Sequence, residues 1–257
     1  MTSTFPLPPL PKVRWSDEIS VTAAMAALAP RVPWDKFVTQ HLVWNRGEHY
    51  ALIGPTGQGK TTMLLSLLPL RKYVAAFVTK PVDSTMDGLT KRGYVIWPKW
   101  RSMDAKDTPR RIIWPDARKL DSDEIQKDAF ADAFRKIYLE GNWTVAIDET
   151  WYLTNILGLQ KEIKMFLLQG RSLGISLLTA TQRPAWVPTE IYSQSTHLMF
   201  WRDNDKRNLD RLSELSVEDP MLVRNIIKNL EMHQVLYVNT RTGRMFRTRT
   251  PRLESVA

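Results

Sequence analysis

The chain has 257 residues, of which 43% are apolar and 25% charged, with no cysteine and a formal net charge of +9. That length and balance suit one α/β domain with appendages and a full core, and no apolar run nears the roughly 18 residues that a membrane span needs. The lack of cysteine excludes disulfides, thiolate metal sites and a cysteine nucleophile, while the positive balance is compatible with nucleic acid as a partner.

Residues 1–15 read as extended, because Pro6, Pro8, Pro9 and Pro11 remove helix donors. No basic flank followed by an apolar stretch stands here, so a signal peptide is not expected and a cytoplasmic location is. Residues 16–28 read as a helix with Ser16 as N-cap, ended by Pro30 and Pro33, and 34–42 as a second short helix. His49–Ile53 is a short apolar run that stops at a glycine-rich turn and gives way to a helical stretch over 60–68. Further apolar runs at 73–78, 144–147, 175–179 and 198–201 fit buried parallel strands, with helices expected at 122–139 and 159–173. Two shorter runs, 94–97 and 111–114, fit an inserted hairpin or a sheet edge. Residues 234–238 and 244–247 read as a terminal hairpin around Thr242-Gly243. Alternation of strands and helices predicts an α/β fold with a mostly parallel central sheet flanked by helices. The expected divisions are an N-terminal extension with short helices (1–45), a core (46–215), and a C-terminal helix and basic hairpin packed on the core (216–257).

Gly54-Pro55-Thr56-Gly57-Gln58-Gly59-Lys60-Thr61 matches G-x-x-x-x-G-K-[ST] without a mismatch. Glycines let the backbone turn its N–H groups inward around an anion with no Cβ in the way. The helix that follows offers its positive N-terminus to the phosphates, with Thr62 in its first turn. Lys60 can reach the β- and γ-phosphates, and the Thr61 hydroxyl can ligate Mg²⁺. So short a string can occur by accident in an unrelated loop. Between a predicted strand and a predicted helix it predicts a nucleotide site, with ATP and Mg²⁺ as the expected ligands.

The apolar run from Trp143 to Ile147 ends in Asp148 and Glu149. In a parallel sheet, ligands gather at the carboxyl ends of the strands, so Asp148 is expected near Thr61, helping to hold Mg²⁺. Glu149, one residue on, points elsewhere and can polarise the water that attacks the γ-phosphate. Without the phosphate loop, two acids closing a strand are an ordinary solvated end.

Gln169-Gly170-Arg171-Ser172-Leu173-Gly174-Ile175, followed by Ala180-Thr181-Gln182-Arg183-Pro184, resembles the signature of the FtsK–HerA superfamily of P-loop ATPases. That group pumps or unwinds DNA and includes viral genome-packaging motors. Phe200-Trp201-Arg202 with Asp205, Asn208 and Leu209 is similar to the segment that follows in the group, so the resemblance covers residues 45–215, specific in its motifs and loose between them. It implies a RecA-like P-loop core and a ring-like homo-oligomer that moves double-stranded DNA in genome packaging or transfer, with a viral portal or another assembly protein as a further partner. It also implies that Gln182 is the polar sensor contacting the γ-phosphate or the attacking water, and that Arg171 reaches into a neighbouring subunit's site. A polar residue just past a buried strand faces the ligand crevice in any case. For Arg171 a solvated helix-end arginine, favoured by the helix dipole, is the alternative. Neither an appended DNA-recognition domain nor room for a nuclease domain is evident, which leaves an expected bare motor core.

Arg241, Arg244, Arg247, Arg249 and Arg252 form one basic stretch, and Lys91, Arg92, Lys99, Arg101, Arg110 and Arg111 another. Either can bind phosphates non-specifically. Trp97, Trp100 and Trp114 lie among the second set, where they can stack on unpaired bases or pack under a loop or at a subunit face. Two further functions stay open. One is a nucleotide-dependent switch or assembly factor that binds protein; the other is a small-molecule kinase, which shares the phosphate loop but rarely needs an adjacent Asp-Glu pair.

Overall fold

The computed structural model describes residues 26–102, 104–116, 118, 122–211 and 220–252. The extended segment 1–15 lies outside these residues, as does the helix expected at 16–28 except for its helical last three residues. Residues 34–42 are helical as Trp34–Lys36 running into a π-turn at Phe37–His41.

The strands are β1 (His49–Ile53), β2 (Val74–Phe77), β3 (Val95–Trp97), β4 (Arg110–Ile113), β5 (Thr144–Ile147), β6 (Ser176–Thr181), β7 (Ser195–Trp201), β8 (Gln234–Asn239) and β9 (Met245–Arg249). Among the described residues they form one nine-stranded sheet in the order β3-β4-β2-β5-β6-β1-β7-β8-β9. β1 to β7 run parallel, and β8 and β9 are antiparallel additions at one end. β1, β2, β5, β6 and β7 are buried along their whole length, which is why they read as apolar runs without polar alternation.

Among the described residues four longer helices cover the sheet: α1 (Lys60–Leu67), α2 (Ser122–Glu140), α3 (Gln160–Gln169) and α4 (Pro220–Lys228). Along β1 the side chains alternate between two apolar layers. Ala51 and Ile53 join Phe130, Phe134 and Phe166 from α2 and α3, with Ile226 from α4. Tyr50 and Leu52 join Met63, Leu64 and Leu67 from α1 on the other face. Emptying either layer at one fully buried phenylalanine would cost about 3–5 kcal/mol. No helix among the described residues is long and apolar enough to cross a membrane.

The runs at 94–97 and 111–114 make a sheet edge, and the hairpin alternative is corrected. Val95 faces Arg111 and Trp97 faces Ile113 in parallel register. A tight turn cannot join parallel neighbours, which need a longer crossover connection. The terminal hairpin does form, with Val238 opposite Met245.

Base stacking by Trp97 and Trp100 is also corrected, because both are buried. With Trp143 they enclose the fully buried guanidinium of Arg111, whose Cζ lies 4.6, 4.4 and 4.4 Å from the three ring centroids. Its Nε donates to the Thr108 carbonyl at 2.8 Å. The aromatic faces offset part of the cost of removing this cation from water.

Candidate nucleotide site

β1 leaves the sheet at Ile53, level with Thr181 at the end of β6. The chain then turns through Gly54–Gly59 into α1. Gly54 is required by close approach, since a Cβ there would stand 2.8 Å from Trp201 Cβ. Lys60 opens α1 with its side chain buried and its Nζ donating to the Pro55 carbonyl at 2.7 Å. Burial lowers its pKa to about 8, against the pull of Asp148, Glu149 and Asp203. A phosphate in the loop would offset that desolvation and hold the ammonium charged.

β5 lies one strand beyond β6, with Ile147 level with Thr179, so its tip reaches the same crevice. The Thr61 hydroxyl donates to Asp148, lying 2.9 Å from Oδ1 and 3.1 Å from Oδ2. One hydroxyl and one carboxylate are hard oxygen donors of the kind that hold Mg²⁺ when phosphates and water complete its octahedron, so the residues present fit that ion. Glu149 is half-buried beside them. Burial first, and Asp148 second, raise its pKa, while Lys60 and Lys80 oppose the rise. Thr150 Oγ1 donates to the Ala180 carbonyl at 2.9 Å and ties the acidic turn to β6. At the β6 tip, the Thr56 hydroxyl donates to Gln182 Oε1.

Thus the phosphate loop, Asp148, Glu149 and Gln182 come together. Arg171 does not join them. It is exposed in the turn Gly170–Leu173 ahead of β6, with its backbone against Gly47 at the entry to β1. The five residues of β1 alone put about 16 Å between that edge and the loop.

Sequence reasoning missed Lys80, whose Nζ lies 3.3 Å from Asp83 Oδ2 and 3.5 Å from Asp148 Oδ2. Its position just past the apolar run 73–78 is the same signal that singled out Gln182. The basic stretches shrink: besides Arg111, Arg247 is buried with Nε donating to the Ala29 carbonyl at 2.7 Å. Arg241 pairs with Glu48 and Arg249 with Glu231. Half-buried Trp114 donates to the Lys80 carbonyl at 2.8 Å.

No protein-family model matches the chain, and no curated protein matches it in sequence. Solved structures do match in fold. The DNA-packaging ATPase B204 from Sulfolobus turreted icosahedral virus aligns with a TM-score of 0.56 and 16% identity, over 79% of this chain and 98% of its own. The genome packaging NTPase B204 from Sulfolobus turreted icosahedral virus 2, in complex with AMPPCP, gives 0.54 and 15%, over 79% and 98%. ATPases 2 and 3 of Thermomonospora curvata EccC, in complex with a signal sequence peptide, give 0.53 and 16%, over 81% of this chain and 39% of that one. The chain therefore has the P-loop NTPase α/β fold, the one its motif resemblance to the FtsK–HerA superfamily implies.

Proposed function

We propose that the chain is an ATP-hydrolysing motor of the FtsK–HerA type that translocates or packages double-stranded DNA. The observation that carries the nucleotide part is the Thr61–Asp148 bond, which joins the phosphate loop to the acidic strand end. In the loop Gly54–Thr62 the backbone N–H groups from Thr56 onward cradle the phosphates, Pro55 having none and Gly54 donating to the Thr181 carbonyl, and Lys60 balances their charge. Thr61 and Asp148 would hold Mg²⁺, which would supply charge neutralisation to the phosphates. Glu149 polarises the attacking water, Gln182 contacts that water or the γ-phosphate, and Arg171 serves a neighbouring subunit's site in a ring. The DNA part is supported by the net charge of +9 and by the fold shared with DNA-packaging B204. In this reading residues 46–215 are the motor core and 216–257 the C-terminal part, whose helix α4 and hairpin β8–β9 pack on it, and the chain works in the cytoplasm, docked on a portal or other assembly protein.

Hydrolysis of ATP with and without duplex DNA, with oligomeric state followed in parallel, tests this. The expected result is hydrolysis by an assembled form, stimulated by DNA whose binding weakens steeply with salt as counterions are released. Lys60→Ala should lose nucleotide binding; unchanged affinity for a fluorescent ATP analogue would sink the phosphate-loop assignment. Hydrolysis indifferent to DNA would favour the alternative, an assembly factor acting on protein. That reading draws support from the fold shared with EccC, a protein seen bound to a peptide.

A further inference from the structure

β7, β8 and β9 lie on the opposite side of β1 from the acidic strand, and they grip the phosphate loop from that side. The His233 ring Nδ1 lies 3.2 Å from the Gln58 carbonyl oxygen. A carbonyl can only accept, so this nitrogen carries the proton. The His233 backbone N–H faces Gln58 Oε1 at 3.4 Å. Thr250, just past β9, accepts from Trp201 Nε1 at 3.1 Å, and its hydroxyl stands 3.5 Å from the same Gln58 carbonyl. Its methyl closes over Gly59, where a Cβ would meet Thr250 Cγ2 at 2.7 Å; Gly59 itself has φ +96°. His233 reaches this position with φ +61°, a left-handed backbone that a non-glycine residue adopts only at a cost.

We propose that His233 and Thr250 are positioning residues that set the phosphate loop for nucleotide, acting through the Gln58–Gly59 peptide. The proposal rests on the nucleotide reading above. A trans peptide carries its C=O and N–H in opposite directions. Holding the Gln58 carbonyl toward the hairpin therefore turns the Gly59 N–H to the other side, where a phosphate loop offers its donors to the anion. A donor fixed beforehand loses less freedom on binding. The hairpin thereby tunes nucleotide affinity while touching no phosphate, and any force on it reaches the site.

The experiment is titration with a fluorescent Mg–ADP analogue, with the nucleotide-free melting temperature measured alongside. His233→Gly accepts the left-handed backbone without its steric cost, adds some backbone freedom and removes the ring. It should bind ADP about three- to tenfold more weakly, the worth of one such hydrogen bond, with a melting temperature close to the parent's. In hydrolysis KM should rise by the same factor while kcat holds. Thr250→Val keeps the contact over Gly59 but loses the hydroxyl, and should weaken binding; Thr250→Ser restores the hydroxyl and should bind like the parent. Parental affinity in His233→Gly overturns the proposal, and parental affinity in Thr250→Val does so if the glycine variant fails to fold. Equal losses in the serine and valine variants overturn it too. A parent that binds no ADP sinks the nucleotide reading and the brace together, whereas a parent that binds beside unaffected variants sinks the brace alone.

Discussion

Thr61 and Asp148, 87 residues apart in sequence, meet across the carboxyl end of the sheet, with the hydroxyl within 3.1 Å of both carboxylate oxygens. The contact exists because β6 alone separates β1 from β5 and all three run parallel. Each partner brings an oxygen that a hard divalent cation accepts.

Asp148→Asn keeps the shape and removes the charge. The Mg²⁺ concentration for half-maximal hydrolysis should rise on the order of 10–100-fold, the scale seen when a metal site loses a supporting group. Metal-free nucleotide binding should persist, since Lys60 and the loop amides are untouched. A Mg²⁺ titration of hydrolysis that overlays the parent's would remove Asp148 from the ligand set.

Glu149→Gln should bind ATP and Mg²⁺ yet lose about 10²–10⁴ in turnover, because the amide cannot polarise water. The parent's pH profile gives an independent check. Burial and Asp148 raise the Glu149 pKa above its ordinary 4.5. In its proposed role as base Glu149 acts ionised, so hydrolysis should fall as pH drops through its pKa. A Glu149→Gln variant that keeps the parent's acid limb would assign the limb to some other group.

The site was legible where each part announces itself locally. β1 and β5 have the bounds expected of them because a glycine turn and an acid pair cut off their apolar runs. Strand direction at the edge was not, since alternation tells which face a residue takes and nothing about which way the strand runs. Arg111 read as a surface cation because its partners are three tryptophans, one of them Trp143 beyond a whole helix. Lys80 stands just past an apolar run as Gln182 does, but its nearby partner Asp83 reads as an ordinary surface pair, and Asp148, which ties it to the site, is 68 residues away. Nothing near Gln58 in sequence signals His233, 175 residues on.

The other end of the sheet carries a buried polar group with its own pH signature. Burial alone would raise the Glu48 pKa, but hydrogen bonds from His197 and Asn45 hold it at about 2. Arg241 pairs with the same carboxylate at 2.8 Å. A depressed carboxylate stabilises the fold above its ordinary 4.5, and the contribution is lost as pH falls from there through 2. Glu48→Gln should be less stable at pH 7 by about 1–3 kcal/mol, and the gap to the parent should narrow below pH 4.5. Thermal melts across that range decide it: parallel curves would mean the charge of Glu48 contributes nothing.

Arg171 should act in trans. It is exposed at the amino edge of β6, while its own phosphate loop follows the carboxyl edge of β1. The length of a strand, about 16 Å, is beyond what an arginine side chain spans, so its guanidinium can meet a neighbour's γ-phosphate more readily than its own. An arginine supplied to a phosphoryl-transfer site stabilises charge that builds in the transition state and is worth on the order of 10³–10⁵ in rate. Arg171→Ala should therefore keep ATP affinity and lose turnover, and the isolated monomer should be a poor ATPase. Mixing Arg171→Ala with Lys60→Ala protein should restore part of the activity, because the first still offers an intact phosphate loop and the second still offers the arginine. If the two inactive proteins co-assemble and no activity returns, Arg171 has no part in a neighbour's site. A strictly monomeric protein with full turnover would remove the ring and leave the nucleotide site standing by itself.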